Sequence, residues 1–219
     1  MPVPTRGWPI PGRRWSRKYF NLWLATWNCF SLSKERFDYC RKLQYDVLTL
    51  TELHNLQNNI KNVSPKLWIP SANSAVYKDG PKKGKWIDPA SGVAIMLSPR
   101  MLPHYRDSGH VGSRIAWVRF AGPVCNIFFV AVYLPHKFRS ESDAQQIIAQ
   151  LDALLATVNK NDCIIVAGDL NCQLHRNVEG CTDKWVMTSR NGGKDHDQEV
   201  LNLMMQYTTI YLLLNIGNK

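Results

Sequence analysis

Short apolar runs of strand length recur along this chain, broken by two segments with helical spacing, and three of the runs end on a side chain that carries oxygen. That alternation is the strongest constraint on the fold. Strands of this kind need both faces covered, and the intervening helices can supply the cover. Asn21 to Asn28 and Tyr45 to Thr51 read as strands, with a helix between them from Ser33 to Gln44. Ser33 can cap that helix, and Phe37, Cys40 and Leu43 repeat at helical spacing. Ser91 to Leu97, Ser113 to Phe120 and Val124 to Leu134 are further strand-like runs, and Gly122-Pro123 marks a turn that makes the last two an antiparallel hairpin. Ser142 to Asn159 places Ile147, Ile148, Leu151, Leu154, Leu155 and Val158 on one helical face. Asp162 to Ala167 is one more buried strand, Asp195 to Tyr207 a helix, and Ile210 to Leu214 leaves room for a final strand. The class is therefore α/β.

At 219 residues the chain is long enough for one domain with a substantial core. Hydrophobic residues are 45% and charged residues 20%, which excludes a disordered or collagenous chain. The longest strongly apolar run, Ile127 to Leu134, is too short to span a bilayer. The six cysteines form no C-x-x-C pair, so no zinc site is expected and the thiols read as reduced. No secretory signal is recognisable, and an intracellular protein, nuclear or cytoplasmic, is expected.

Lys and Arg number 27 against 17 Asp and Glu, a net charge of +10. An excess of this size favours a polyanionic partner: nucleic acid, phosphoinositide or a membrane surface. Residues 1–20 carry Pro2, Pro4, Pro9 and Pro11 among Arg and Gly, and no acid precedes Glu35. The prolines forbid a regular helix or central strand there. The expectation is a flexible basic arm over 1–20 and a folded domain over 21–219.

Asn28, Glu52 and Asp169 each follow an apolar run at its carboxyl end, where open α/β sheets bind ligands. Three such groups suit a hard cation that prefers oxygen and retains water. Asp169 and Asn171 are two apart and face the same way if the backbone is extended. An ordinary Gly-Asp-x-Asn turn accounts for the same residues equally well.

Five motifs then occur in order: Ala25-Thr26-Trp27-Asn28, Leu50-Thr51-Glu52, Ser91-Gly92-Val93-Ala94-Ile95, Tyr133-Leu134-Pro135-His136 and Ala167-Gly168-Asp169-Leu170-Asn171. Together they resemble the endonuclease/exonuclease/phosphatase superfamily, with the deoxyribonuclease I-like fold. Within it, the chain is most similar to the endonuclease domains of non-LTR retrotransposons. The resemblance implies two packed β-sheets flanked by helices in four layers. It also implies Mg²⁺-dependent (or Mn²⁺-dependent) phosphodiester hydrolysis, with DNA as partner and RNA as the alternative. Carried over by motif, Glu52 is the main metal ligand, with Asn28 beside it and Asp169 at the same centre. Asp169 would orient or deprotonate the attacking water, Asn171 would hold a phosphate oxygen, and Tyr133 would hydrogen-bond the scissile phosphate.

His136 stands where the family usually has Asn, and could still donate to a phosphate while protonated. Arg114, Lys137 and Arg139 are candidate phosphate contacts, as are Arg119 and the loop lysines Lys82, Lys83 and Lys85. His54 and Trp27 read as structural. The family closes with a Ser-Asp-His motif on a late strand, and no Asp-His pair follows Asn171 in that setting. Asp195-His196 reads instead as the acidic start of a helix. The chain is thus expected to be truncated at its C-terminus, to lack its last strands, and to expose a strand edge and part of its core. Weak or absent activity is the expected consequence. Two alternatives stand beside the endonuclease: an inactive fragment that retains polyanion binding, and a phosphatase of small phosphoesters.

Overall fold

The computed structural model describes residues 22–54, 60, 63–135, 141–171 and 210–214, the last five as backbone. The arm over 1–20, the residues His136, Lys137 and Arg139, the pair Asp195-His196 and the helix expected from Asp195 to Tyr207 lie outside these.

Two sheets stack face to face. The first has β1 (Leu24–Asn28), β2 (Val47–Thr51), β3 (Trp68–Pro70) and β4 (Val93–Leu97), in the order β1-β2-β4-β3. The second has β5 (Tyr105–Val111), β6 (Ile115–Ala121), β7 (Asn126–Tyr133), β8 (Cys163–Asp169) and β9 (Ile210–Leu214), in sequence order. Helix α1 (Lys34–Cys40) covers the first sheet and α2 (Glu141–Leu155) the second. The expected four layers are present. Among the described residues no helix is long and apolar enough to cross a membrane.

The period of two along each strand sorts side chains between layers. On β2, Val47 faces the second sheet, while Leu48 and Leu50 pack under α1 with Phe37 and Cys40. On β7, Phe129, Ala131 and Tyr133 face the first sheet, while Phe128, Val130 and Val132 lie under Ile147, Ile148, Leu151 and Leu155 of α2. Val118, Phe120, Phe129 and Ile95 fill the middle of the sandwich. Burying one such side chain contributes about 1.5–3 kcal/mol.

Ser33 caps α1, its hydroxyl accepting from the Arg36 amide at 3.3 Å. The helix ends at Cys40 rather than Gln44, because Lys42 and Leu43 donate to carbonyls three residues back and tighten the last turn. The expected hairpin is β6–β7, paired from Ile115↔Val132 to Ala121↔Asn126. Two further strands fall outside the runs read from the sequence. β3 has three residues, and β5 (YRDSGHV) is a mostly polar edge strand.

The final strand for which Ile210 to Leu214 left room is present as β9. β9 pairs in parallel with β8, from Ile164↔Ile210 to Gly168↔Leu214. Ile164, Ile165 and Val166 beneath it are buried.

Candidate active site

β1 and β2 run parallel, and so do β7 and β8, so all four carboxyl ends reach one rim of the sandwich. Asn28 pairs with Thr51 at the end of the first couple, and Tyr133 with Asp169 at the end of the second. Asn28 shares the inward phase of β1 with Leu24, Tyr133 that of β7 with Ala131, and Asp169 that of β8 with Ala167. Glu52 is the first residue past β2.

Two hydrogen bonds close the rim between the sheets. Asn28 Nδ2 donates to Asp169 Oδ2 at 3.0 Å. The Tyr133 hydroxyl donates to Glu52 Oε1 at 2.8 Å. Asn28 Oδ1 accepts the Phe30 amide at 3.1 Å, which fixes which way the amide group points. Burial first, and then the hydrogen bond and charge of Glu52, push the Tyr133 hydroxyl well above its ordinary value of 10.0. It therefore remains a donor at neutral pH.

Gly168 brings Asp169 to this position. Its φ is 137°, and a Cβ there would sit 2.0 Å from the Val132 carbonyl oxygen, so any side chain would force β7 and β8 apart. Beyond Asp169 the chain leaves the extended conformation. Asn171 has φ 46°, its amide donates to Asp169 Oδ1 at 3.1 Å, and its Nδ2 donates to the Leu134 carbonyl at 2.8 Å. The two residues do not face the same way on an extended strand, as their spacing suggested. An Asx turn curls Asn171 back toward β7, because an Asp side chain readily accepts from the amide two residues on.

Arg114 is 8% exposed and makes an ion pair with Asp88. Its guanidinium carbon lies 4.7 Å from the centre of the Tyr133 ring, and Nη1 donates to the Tyr133 carbonyl at 3.4 Å. The sequence made Arg114 a candidate phosphate contact; in the fold its side chain engages Asp88 and Tyr133 and steadies the ring that reaches Glu52. Arg119, the other candidate on the hairpin, also has an internal partner. It pairs with the buried Asp162 at 2.7 Å, at the opposite end of β8 from Asp169. The lysine loop is exposed, held by a bridge between Val76 and Trp86. Trp27 packs edge-on to Tyr39 at 5.9 Å, a structural contact. His54 was read the same way, but its Nε2 lies 3.9 Å from Glu52 Oε2. Asp88 and His54 carried no signal in sequence, since neither sits in a motif or at the end of an apolar run.

The donor set fits a magnesium ion. Such an ion takes one or two carboxylates and keeps waters and phosphate oxygens as its other ligands. Glu52 and Asp169, with Asn28 between them, offer that set. Among the described residues no group of three or more His, Cys, Asp or Glu side chains forms a full protein cage.

The chain is a member of the Endonuclease/Exonuclease/phosphatase family, whose profile matches residues 25–189. It is similar to craniofacial development protein 2 of Bos taurus, with 21% identity over 174 residues, 77% of this chain. The chain spans only 27% of that relative's length. Among solved structures it is similar to a Staphylococcus aureus beta toxin mutant with bound magnesium ions, at TM-score 0.45 and 14% identity, covering 84% of this chain and 70% of that one. It is also similar to D. rerio TDP2 complexed with single strand DNA product, at TM-score 0.45 and 14% identity, covering 68% and 60% respectively.

Proposed function

We propose that this chain is a metal-dependent endonuclease of retroelement type that hydrolyses a phosphodiester bond of DNA, with Mg²⁺ or Mn²⁺ as cofactor. The observation that carries this reading is the pair of cross-sheet bonds, Asn28–Asp169 and Tyr133–Glu52, which holds two carboxylates, an amide and a phenol at one rim.

Glu52 and Asn28 would hold the cation, with Asp169 at its edge. When bound, the cation supplies Lewis-acid polarisation of a phosphoryl oxygen and a template for in-line attack. The protein's own groups do the rest. Asp169 accepts hydrogen bonds from Asn28 and from the Asn171 amide, which aim it, so it can take the proton of the attacking water. Asn171 Nδ2 gives one hydrogen to the Leu134 carbonyl, and its other would meet a phosphate oxygen. Tyr133 has one hydroxyl hydrogen, shared with Glu52 before substrate arrives. Turning it to the scissile phosphate puts a neutral donor where negative charge develops. His136, Lys137 and Arg139, on the segment after β7, would contact the backbone in a salt-sensitive and sequence-blind way.

Supercoiled plasmid incubated with Mg²⁺ tests this reading. The wild-type chain should nick it, and Glu52→Gln or chelation by EDTA should stop the nicking. Equal nicking by Glu52→Gln would overturn the assignment of the site. A folded chain that binds DNA in a salt-dependent way without nicking would overturn the hydrolase and leave a polyanion-binding module. Preference for a soluble phosphomonoester over plasmid would move the chain to the phosphatase branch.

A further inference from the structure

Five non-glycine residues among those described have left-handed backbone: Phe30 (φ 46°), Ser31 (82°), Glu52 (54°), His54 (57°) and Asn171 (46°). All five lie in the turns that leave β1, β2 and β8 at the site rim. Left-handed backbone is costly for residues with a Cβ, most of all for a bulky one such as Phe, and persists only where surrounding contacts enforce it.

The Phe30–Ser31 turn is enforced with unusual thoroughness. Arg36 Nη1 shares its two hydrogens among three successive carbonyls, Cys29 at 2.5 Å, Phe30 at 2.8 Å and Ser31 at 2.7 Å. The Phe30 amide is held by Asn28 Oδ1, and the Ser31 amide donates to the Glu52 carbonyl at 2.8 Å. What this scaffold holds up is an exposed aromatic ring. Phe30 is 72% exposed, although the chain could have buried it or placed a glycine there without strain. Its ring centre lies 5.7 Å from that of His54, tilted by 57°, and His54 is the residue beside the Glu52 carboxylate. A single exposed apolar residue is ordinary. One fixed by five polar contacts around a strained turn, and tied directly to two site residues, is a presented surface.

We propose that Phe30, backed by His54, is a stacking platform for a nucleobase of the DNA strand whose phosphate enters the site. The inference rests on the endonuclease reading and names its substrate form. A bare ring face stacks on any base, so the platform is indifferent to sequence. A base inside a duplex is already stacked on its neighbours and must leave them first. The platform therefore selects single-stranded, gapped or locally opened DNA over intact duplex.

The test uses the whole wild-type chain in EDTA, so that binding is read without turnover. Single-stranded oligonucleotides carry one 2-aminopurine, moved one position at a time. At one register the emission should fall on binding. Phe30→Leu, which keeps apolar bulk, should weaken binding there by roughly 5- to 150-fold, the range for losing one base–aromatic stack. Phe30→Trp should restore it. An abasic site at that register should bind wild type and Phe30→Leu equally. Thermal melts of the three proteins check that the turn survives. If Phe30→Leu binds every oligonucleotide as wild type does, or if wild type binds none, the platform is wrong. Loss of nicking with Phe30-dependent binding intact sinks the hydrolase alone. Intact nicking with no effect of Phe30→Leu on binding or on kcat/KM sinks the platform alone.

Discussion

Asn28 Nδ2 lies 3.0 Å from Asp169 Oδ2, a bond between residues 141 positions apart that joins the two sheets at their rim. Neither strand can shift relative to the other without breaking it. It orients Asp169 and locks the amide of Asn28, so it serves the fold and the chemistry together.

Replacement of Asp169 by Asn separates those two duties. The bond geometry can survive as amide to amide, but the proton acceptor is lost. Nicking should fall by roughly 10²- to 10⁴-fold, the usual contribution of a positioned general base. The charge-assisted bond weakens to a neutral one, so stability should drop by only about 1 kcal/mol. Plasmid nicking rates beside a urea titration check both. Full activity in Asp169→Asn would remove Asp169 from the proton transfer.

Truncation of Asn171 to Ala removes a donor held in place before the reaction. The expected loss in kcat is about 10²- to 10³-fold, with KM nearly unchanged if the amide acts where charge develops. A rise in KM alone would assign Asn171 to ground-state binding.

Arg114→Met should unfold the chain more readily, and it should also slow nicking through Tyr133. Removing the guanidinium leaves Asp88 without its ion pair and the Tyr133 ring without its stacked cation. The Arg is buried but Asp88 is partly exposed, so the cost is placed near the low end for a buried pair, about 3 kcal/mol. At this chain length that is a Tm drop of roughly 6–12 °C. The double variant Arg114→Met with Asp88→Asn should recover part of it. An unchanged Tm in Arg114→Met would mean that the pair contributes nothing.

Stability should decline at alkaline pH from about pH 9. Burial is the main cause that raises the Cys40 thiol from 9.0 to about 12, and burial followed by the nearby Cys40 pushes Cys29 up as well. Burial likewise raises Tyr45 from 10.0 to about 12. Unfolded thiols lose their protons around pH 9, whereas the folded ones keep them. The folded state thus binds more protons across this window, and its stability is full below pH 9 and falls as pH rises toward 12. Tm measured from pH 7 to 11 reads this directly. A flat profile above pH 9 would show that the thiols are solvated in the folded chain.

Much of this molecule is determined by its sequence alone. Apolar runs reveal β1, β2, β4, β6, β7 and β8, because β2, β4, β7 and β8 are buried on both faces over most of their length and β1 and β6 are at least half-buried throughout. The order of the five motifs puts Asn28, Glu52, Tyr133 and Asp169 at strand ends, and period two turns the three on strands toward the opposite sheet. β5 and β3 escape notice because an edge strand with a wet face, or one of three residues, needs no apolar repeat. Tertiary structure alone decided the remainder. Arg114 became a prop for Tyr133 because Asp88, 26 positions away, meets it inside the fold. Asn171 curled back onto β7 because Asp169 captured its amide. Phe30 was raised into solvent because Arg36, Asn28 and Glu52 hold its turn in a conformation the residue does not choose for itself. Local pattern encodes burial, which every strand needs; partners distant in sequence, and the backbone strain they enforce, exist only once the sheets have stacked.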